Sequence, residues 1–309
     1  MFSPRTLADD LAAVRADHAP GTPVLDVESD FETLPPAAAE DLGLFVNELS
    51  PATYPEAWLP TDAPELLRRY AGPDFTVGLP GDGTVVRTTQ TRPDTVLVKR
   101  RAEGTPNDFL ALLIADRLVR VGAEPKPGAL VADGVPTDRL PETFLPFFGR
   151  LYVDLDEAIR SPETDGIEDA DTTADADGDP AGVDGPNGPV GSGLAPTDTY
   201  QVANALFDAW VGLHTRDTFA SWRGEHPRLF DAWLDAGDRL EGRLGDLPRE
   251  VARGETDFAS ATEYACSAVR HGLDLPAPFA ALDTEAYRDR GAPYAVTWAE
   301  KTFESMARI

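Results

Sequence analysis

Apolar positions along this chain change their spacing about halfway. In the first half helical and alternating patterns are mixed. Leu7, Leu11 and Val14 share one helical face, with Ser3 before Pro4 as a start signal. A second helix is expected over residues 37–49 and a short one over 64–70. The period then shortens toward two. Residues 75–77 and 85–89 read as strands around the turn-forming Gly81-Asp82-Gly83, and 95–100 as a third. Thr105-Pro106 opens a helix to about Val121, and its residues 109–115 are apolar on every side. A helix of that kind belongs in the interior. Residues 151–153 are expected as a last strand.

The second half carries only the helical period. Val202, Leu206, Ala209 and Leu213 lie on one face; Leu229, Trp233, Leu240 and Leu244 on another. An alanine-rich helix is expected over 258–273, and a terminal one carries Val296, Ala299, Phe303 and Met306. No internal repeat of fixed period is present. The predicted fold class is α+β, predominantly helical. A small antiparallel sheet (about residues 75–101) packs on helices, and the C-terminal half is helical.

Charge supplies the boundary that hydropathy leaves vague. Between Arg160 and Arg216 there is no Lys or Arg, and between Tyr152 and Tyr200 no aromatic residue. Asp169, Asp171, Asp175, Asp177, Asp179 and Asp184 alternate there with small residues. Such a stretch has little to bury. The expected organisation is a mixed half (1–159), an acidic mobile insertion or linker (160–198) and a helical half (199–309) packed on the first.

The acidity is not confined to that stretch. The net charge is −27, from 54 Asp and Glu against 27 Lys and Arg, and only Lys99, Lys126 and Lys301 are lysines. Fourteen Phe, five Trp and seven Tyr argue for a folded core under an acidic coat rather than a disordered chain. At roughly 1 M salt the Debye length is about 3 Å and self-repulsion is largely screened. The expected setting is therefore a halophile's salt-rich cytoplasm. The same charge disfavours nucleic acid and anionic membranes. The single cysteine, Cys266, excludes an internal disulfide. No apolar signal region follows Met1, and the longest apolar stretch, 109–115, is too short for a bilayer.

The run Tyr200-Gln201-Val202-Ala203-Asn204-Ala205-Leu206-Phe207-Asp208-Ala209-Trp210, continuing Val211-Gly212-Leu213-His214-Thr215-Arg216-Asp217, resembles haloarchaeal proteins of a family without assigned function. The stretch 105–122 shares the resemblance. It implies an archaeal halophile and no particular chemistry.

Candidate chemistry is sparse. Arg87, Arg92, Lys99, Arg100 and Arg101 form a basic island with Asp94 as its only acid. Along a strand, Lys99 and Arg101 would point the same way, and with Arg87 they are the candidate anion-binding residues for a phosphate or carboxylate. Against this stands pairing with surface acids, which is common and contributes little. His214 is the candidate general base, with Asp217 one turn on to orient it; the alternative is a histidine satisfying the last carbonyls at a helix C-terminus. Gly81-Asp82-Gly83, Lys99 and His214-Thr215-Arg216-Asp217 faintly resemble the order of protein-kinase motifs. The third glycine, the Asn after the catalytic Asp and the Asp-Phe-Gly are missing, so the metal ions have no holders.

Asp154 and Asp156 follow the expected strand as a carboxylate pair, and chance suffices to explain them in so acidic a chain. The aspartates of 169–179 fail the calcium-loop test because Pro180 stands where the turn needs glycine. Cys266, set among alanines, reads as an inert buried thiol. No metal site and no cofactor is expected. Phe147-Phe148 or Trp222 would mark a partner surface only if exposed, and core burial is the simpler reading. Two functions remain: a non-enzymatic binding or interaction protein with a protein partner, or an enzyme or ligand-binding protein for a small anionic molecule.

Overall fold

The computed structural model describes residues 1–31, 33–74, 85–123, 139–162 and 194–308. In chain order these form β1 (Phe2–Pro4), α1 (Asp9–His18), β2 (Val24–Val27), α2 (Pro36–Val46), β3 (Ser50–Pro51), α3 (Glu65–Ala71), β4 (Val86–Thr88), β5 (Thr91–Arg92), β6 (Val96–Val98) and α4 (Asn107–Gly122). There follow α5 (Phe144–Phe148), α6 (Leu151–Arg160), α7 (Pro196–Ser221), α8 (Pro227–Leu244), α9 (Leu247–Ala252), α10 (Phe258–Val269), α11 (Glu285–Arg290) and α12 (Ala292–Ala307). The fold is α+β and predominantly helical, with a small sheet and a helical C-terminal half.

The sheet has the order β1-β2-β6-β4. It is mixed rather than wholly antiparallel. β2 and β6 run parallel, with Val24 opposite Val96, while β1 and β4 flank them antiparallel. Two of its four strands come from the first 27 residues, where segments of three and four residues are too short to display alternation. Ser3-Pro4, read as a helix start, instead closes the edge strand β1. Proline is tolerated there because an edge strand leaves N–H groups unpaired. The expected strand at 75–77 and the turn at 81–83 lie outside the described residues, as do 163–193 of the acidic segment.

Each face of the sheet is covered. Val24, Val86, Val96 and Val98 pack toward α1 and α4. Leu25, Val27 and Leu97 pack toward Leu34, Ala38 and Leu42 beneath and within α2. The alternation within β2 and β6 thus divides between two cores, as a period of two requires. α4 is the central element of this half, with Leu110, Ala115, Leu118 and Val119 buried between α1, the sheet and α8. Its last residue, Gly122, lies so close to α1 that a β-carbon would meet the His18 carbonyl oxygen at 1.7 Å.

The second core is all helical. α7 packs along α10, and α6 packs against α12. Residues 151–153, expected as a strand, are the first turn of α6. Leu151, Tyr152, Leu155 and Ile159 recur at helical spacing, and the three-residue apolar run could not reveal that period. Phe147, Phe148 and Trp222 are all buried, so none of them marks a surface. Phe147 stands within 4.8 Å of Trp210, centroid to centroid, at the centre of this core.

Candidate functional site

The residues nominated from sequence are dispersed. β6 ends at Val98, and residues 100–102 form a short 3-10 turn, so strand alternation does not carry from Lys99 to Arg101. Arg87 on β4 donates to the Tyr70 hydroxyl at 2.8 Å. Arg101 lies 3.4 Å from Asp30. Lys99 is buried and lines an open cleft of about 550 Å³ with Arg5 and Arg100. Asp26, Glu28 and Glu103 line the same cleft, so three cations face three carboxylates.

His214 is half-buried within α7, edge-on to Trp210 at 4.6 Å between ring centroids. The helix continues to Ser221, so His214 does not serve a C-terminus. Asp217, one turn on, is exposed. Asp156 is buried on α6 and receives two hydrogen bonds from Arg160, at 2.9 and 2.6 Å, which also bridges to Asp62. That carboxylate is committed to a guanidinium rather than to a cation. Cys266 is buried on α10, and burial pushes its thiol well above the ordinary value. Among the described residues no group of three His, Cys, Asp or Glu side chains is placed to hold a metal ion.

What the fold does assemble is a charged cluster where α4, α7 and α10 meet. Asp116, Arg117 and Arg120 come from α4, and Asp208 comes from α7. Arg270 follows directly after α10. Arg120 donates to Asp208 at 2.5 Å and lies over the Phe207 ring. Asp116 is shared: Arg270 approaches one oxygen at 3.5 Å, and Arg117 and Arg120 approach the other at 3.7 and 3.9 Å. Burial would raise the Asp116 carboxyl, but Arg270, Arg117 and Arg120 outweigh it and hold it below the usual carboxylate range. Burial, with Arg120 adding its charge, lowers Arg117 to about 10. Three guanidiniums therefore face two carboxylates, an excess of one positive charge inside a chain of net charge −27.

Beside this cluster is a cavity of about 280 Å³ between α4, α8 and α10. Its body is apolar, built by Phe109, Leu112, Leu113, Phe219 and Leu240. Its polar end is Asp116, Arg270 and His271, with Trp233 stacked on the imidazole at 5.4 Å. Burial lowers His271 to about 4, and Arg270 beside it adds to the effect, so the ring is neutral at pH 7. Gly237 makes room for it, since a β-carbon there would stand 3.2 Å from Nδ1. The indole N–H of Trp233 and Nδ1 of His271 are buried without a hydrogen-bond partner among the described residues. Arg270 likewise makes no hydrogen bond to a described residue, although its side chain is only 21% exposed.

The chain is similar over nearly its whole length to a described family. A family of unknown function, DUF7089, matches residues 1–306. The chain belongs to the DUF7089 family. No curated protein and no solved structure matches it. For this DUF7089 protein the site must therefore be read from its own geometry. The sequence pattern gives a helix from Thr105-Pro106 to about Val121 with residues 109–115 apolar on every side, and Asp116 stands merely at the end of that apolar run. The available signal was the pair Asp116 and Arg120, one turn apart on a helix with no polar face to spare. Arg270 and His271 carry no signal of their own, because only the α7–α10 packing brings them to α4.

Among the described residues no helix is long and apolar enough to cross a membrane.

Proposed function

We propose that this DUF7089 protein is a non-enzymatic binding protein of a salt-rich, haloarchaeal cytoplasm. Its ligand is a small carboxylate with an apolar body, seated between α4, α8 and α10. The observation that carries this reading is an apolar cavity whose polar end presents the Arg270 guanidinium, 3.5 Å from Asp116 and hydrogen-bonded to no described residue. Beside it the buried Trp233 N–H has no hydrogen-bond acceptor among the described residues. Buried donors without acceptors are costly, and a bound anion satisfies several at once. Guanidinium is suited to a carboxylate because it offers two parallel N–H groups.

Size supports a small ligand. The cavity of about 280 Å³ lies at the lower end of small-molecule sites. Its apolar walls favour a branched or aromatic body. The Lys99 cleft offers a weaker version of the same chemistry, since its cations are balanced by carboxylates; there Lys99, rather than Arg87 or Arg101, would contact an anion. His214 and Asp217 sit in unlike environments and support no acid–base step in this reading. The acidic coat and net charge of −27 support the salt-rich setting.

The test is a thermal-shift and calorimetric comparison of benzoate, 3-methylbutanoate and the neutral isostere benzamide in KCl. A carboxylate at 100 times its dissociation constant adds about 2.7 kcal/mol, worth several degrees. Benzoate or 3-methylbutanoate should bind once per chain, benzamide should not, and Arg270→Gln should weaken binding at least about tenfold. Equal behaviour of benzoate and benzamide, or unchanged affinity in Arg270→Gln, would sink the proposal.

A further inference from the structure

A further opening lies elsewhere, on the helical layer formed by α9, α12 and the turn before α11. It is a groove of about 830 Å³. Phe258, Phe279 and Trp298 build its floor, with rings stacked or tilted at 5.6 to 6.3 Å. Among the described residues, the charged ones lining it are Arg290 and Lys301. Among the described residues no carboxylate contributes to its wall, in a chain where acids outnumber bases two to one.

Arg290 lies over the Tyr294 ring at 5.7 Å, and neither it nor Lys301 forms an ion pair with a described residue. Two nearby acids pair elsewhere: Asp289 with Arg288, and Glu304 with Arg308. Tyr294, Trp298 and Lys301 recur along one face of α12, so an apolar strip leads directly to a cation.

We propose that this groove binds a long-chain carboxylate, with its acyl chain along Phe258, Phe279 and Trp298 and its head at Lys301 or Arg290. A single anionic head suits a protein of this charge, because a multiply acidic partner would be repelled by the coat around the groove. The groove shares no lining residue with the cavity beside Arg270, so the two sites can be tested separately.

The experiment is isothermal titration of the full chain with dodecanoate, dodecanol and dodecyltrimethylammonium, each below its micelle concentration. Dodecanoate should saturate at one per chain and bind at least about tenfold tighter than the alcohol or the cation, as expected for a charge-assisted contact. Lys301→Glu combined with Arg290→Glu should remove that preference. Trp298→Leu should weaken all three ligands, and circular dichroism would confirm that each variant is folded. Arg270→Gln should leave dodecanoate affinity unchanged. Equal affinity for dodecanoate and dodecanol, no effect of the double charge reversal, or loss of binding in Arg270→Gln would each overturn the proposal.

Discussion

Gly212 on α7 touches the backbone of Arg270: a β-carbon at position 212 would lie 3.1 Å from the Arg270 N, Cα and Cβ atoms. A close helix contact and the cation at the polar end of the cavity are therefore one feature. α10 can reach the Asp116 carboxylate because α7 carries no side chain at this crossing.

Gly212→Ala should destabilise the protein by about 1–3 kcal/mol, since the atoms that must yield are backbone rather than a flexible side-chain end. Denaturant titration against wild type measures it. Gly224→Ala, where nothing lies within 4 Å of the added carbon, is the control and should be near neutral. Equal effects at both positions would contradict the close packing.

Removing the charge of Asp116 leaves Arg117, Arg120 and Arg270 sharing only Asp208. Asp116→Asn should cost about 3–5 kcal/mol, as expected when one partner of a buried ion cluster is lost. Replacing Asp116 and Arg270 together by Leu and Met should cost less than the sum of the two single changes. An additive double mutant would mean that the two side chains are not coupled.

His271 gives the cluster a pH dependence. Its folded value of about 4 lies below its ordinary 6.5. The stability it contributes is present above pH 6.5 and is lost as pH falls toward 4, because the unfolded imidazole takes up a proton that the folded one resists. The loss amounts to about 3 kcal/mol over that window. His271→Gln should flatten the wild-type curve there, and an imidazole titrating in the native state near 6.5 would refute the assignment.

Ionic strength should matter strongly. With a net charge of −27, the unfolding temperature should rise steadily between 0.1 and 1 M KCl as screening shortens to about 3 Å. Calorimetry across that range checks it, and a midpoint independent of salt would remove the argument for a salt-rich setting.

Much of the helical architecture is legible locally. Apolar residues three and four apart foretell α4, α7, α8, α10 and α12, because each must turn one face to a core. The charge of the coat and the burial of Cys266 are legible too. Less legible are β1 and β2, which hold their place only by pairing with each other and with β6. The first turn of α6 is ambiguous for a related reason, since a three-residue apolar run fits either period.

The candidate sites follow the same division. The sequence by itself determined which helices form, that their apolar faces must be covered and that the surface would be acidic, because periodicity, propensity and net charge are properties of neighbouring residues. It also made Lys99 and His214 conspicuous, since cations and histidines are rare in this chain. Only the tertiary structure decided that Lys99 is balanced by carboxylates and that His214 sits against Trp210 inside a helix. It alone brought Asp116, Asp208 and Arg270 together across 154 residues of chain. A buried charge takes its energy from whatever the fold places within a few ångströms of it, and that distance is not written in the order of the residues.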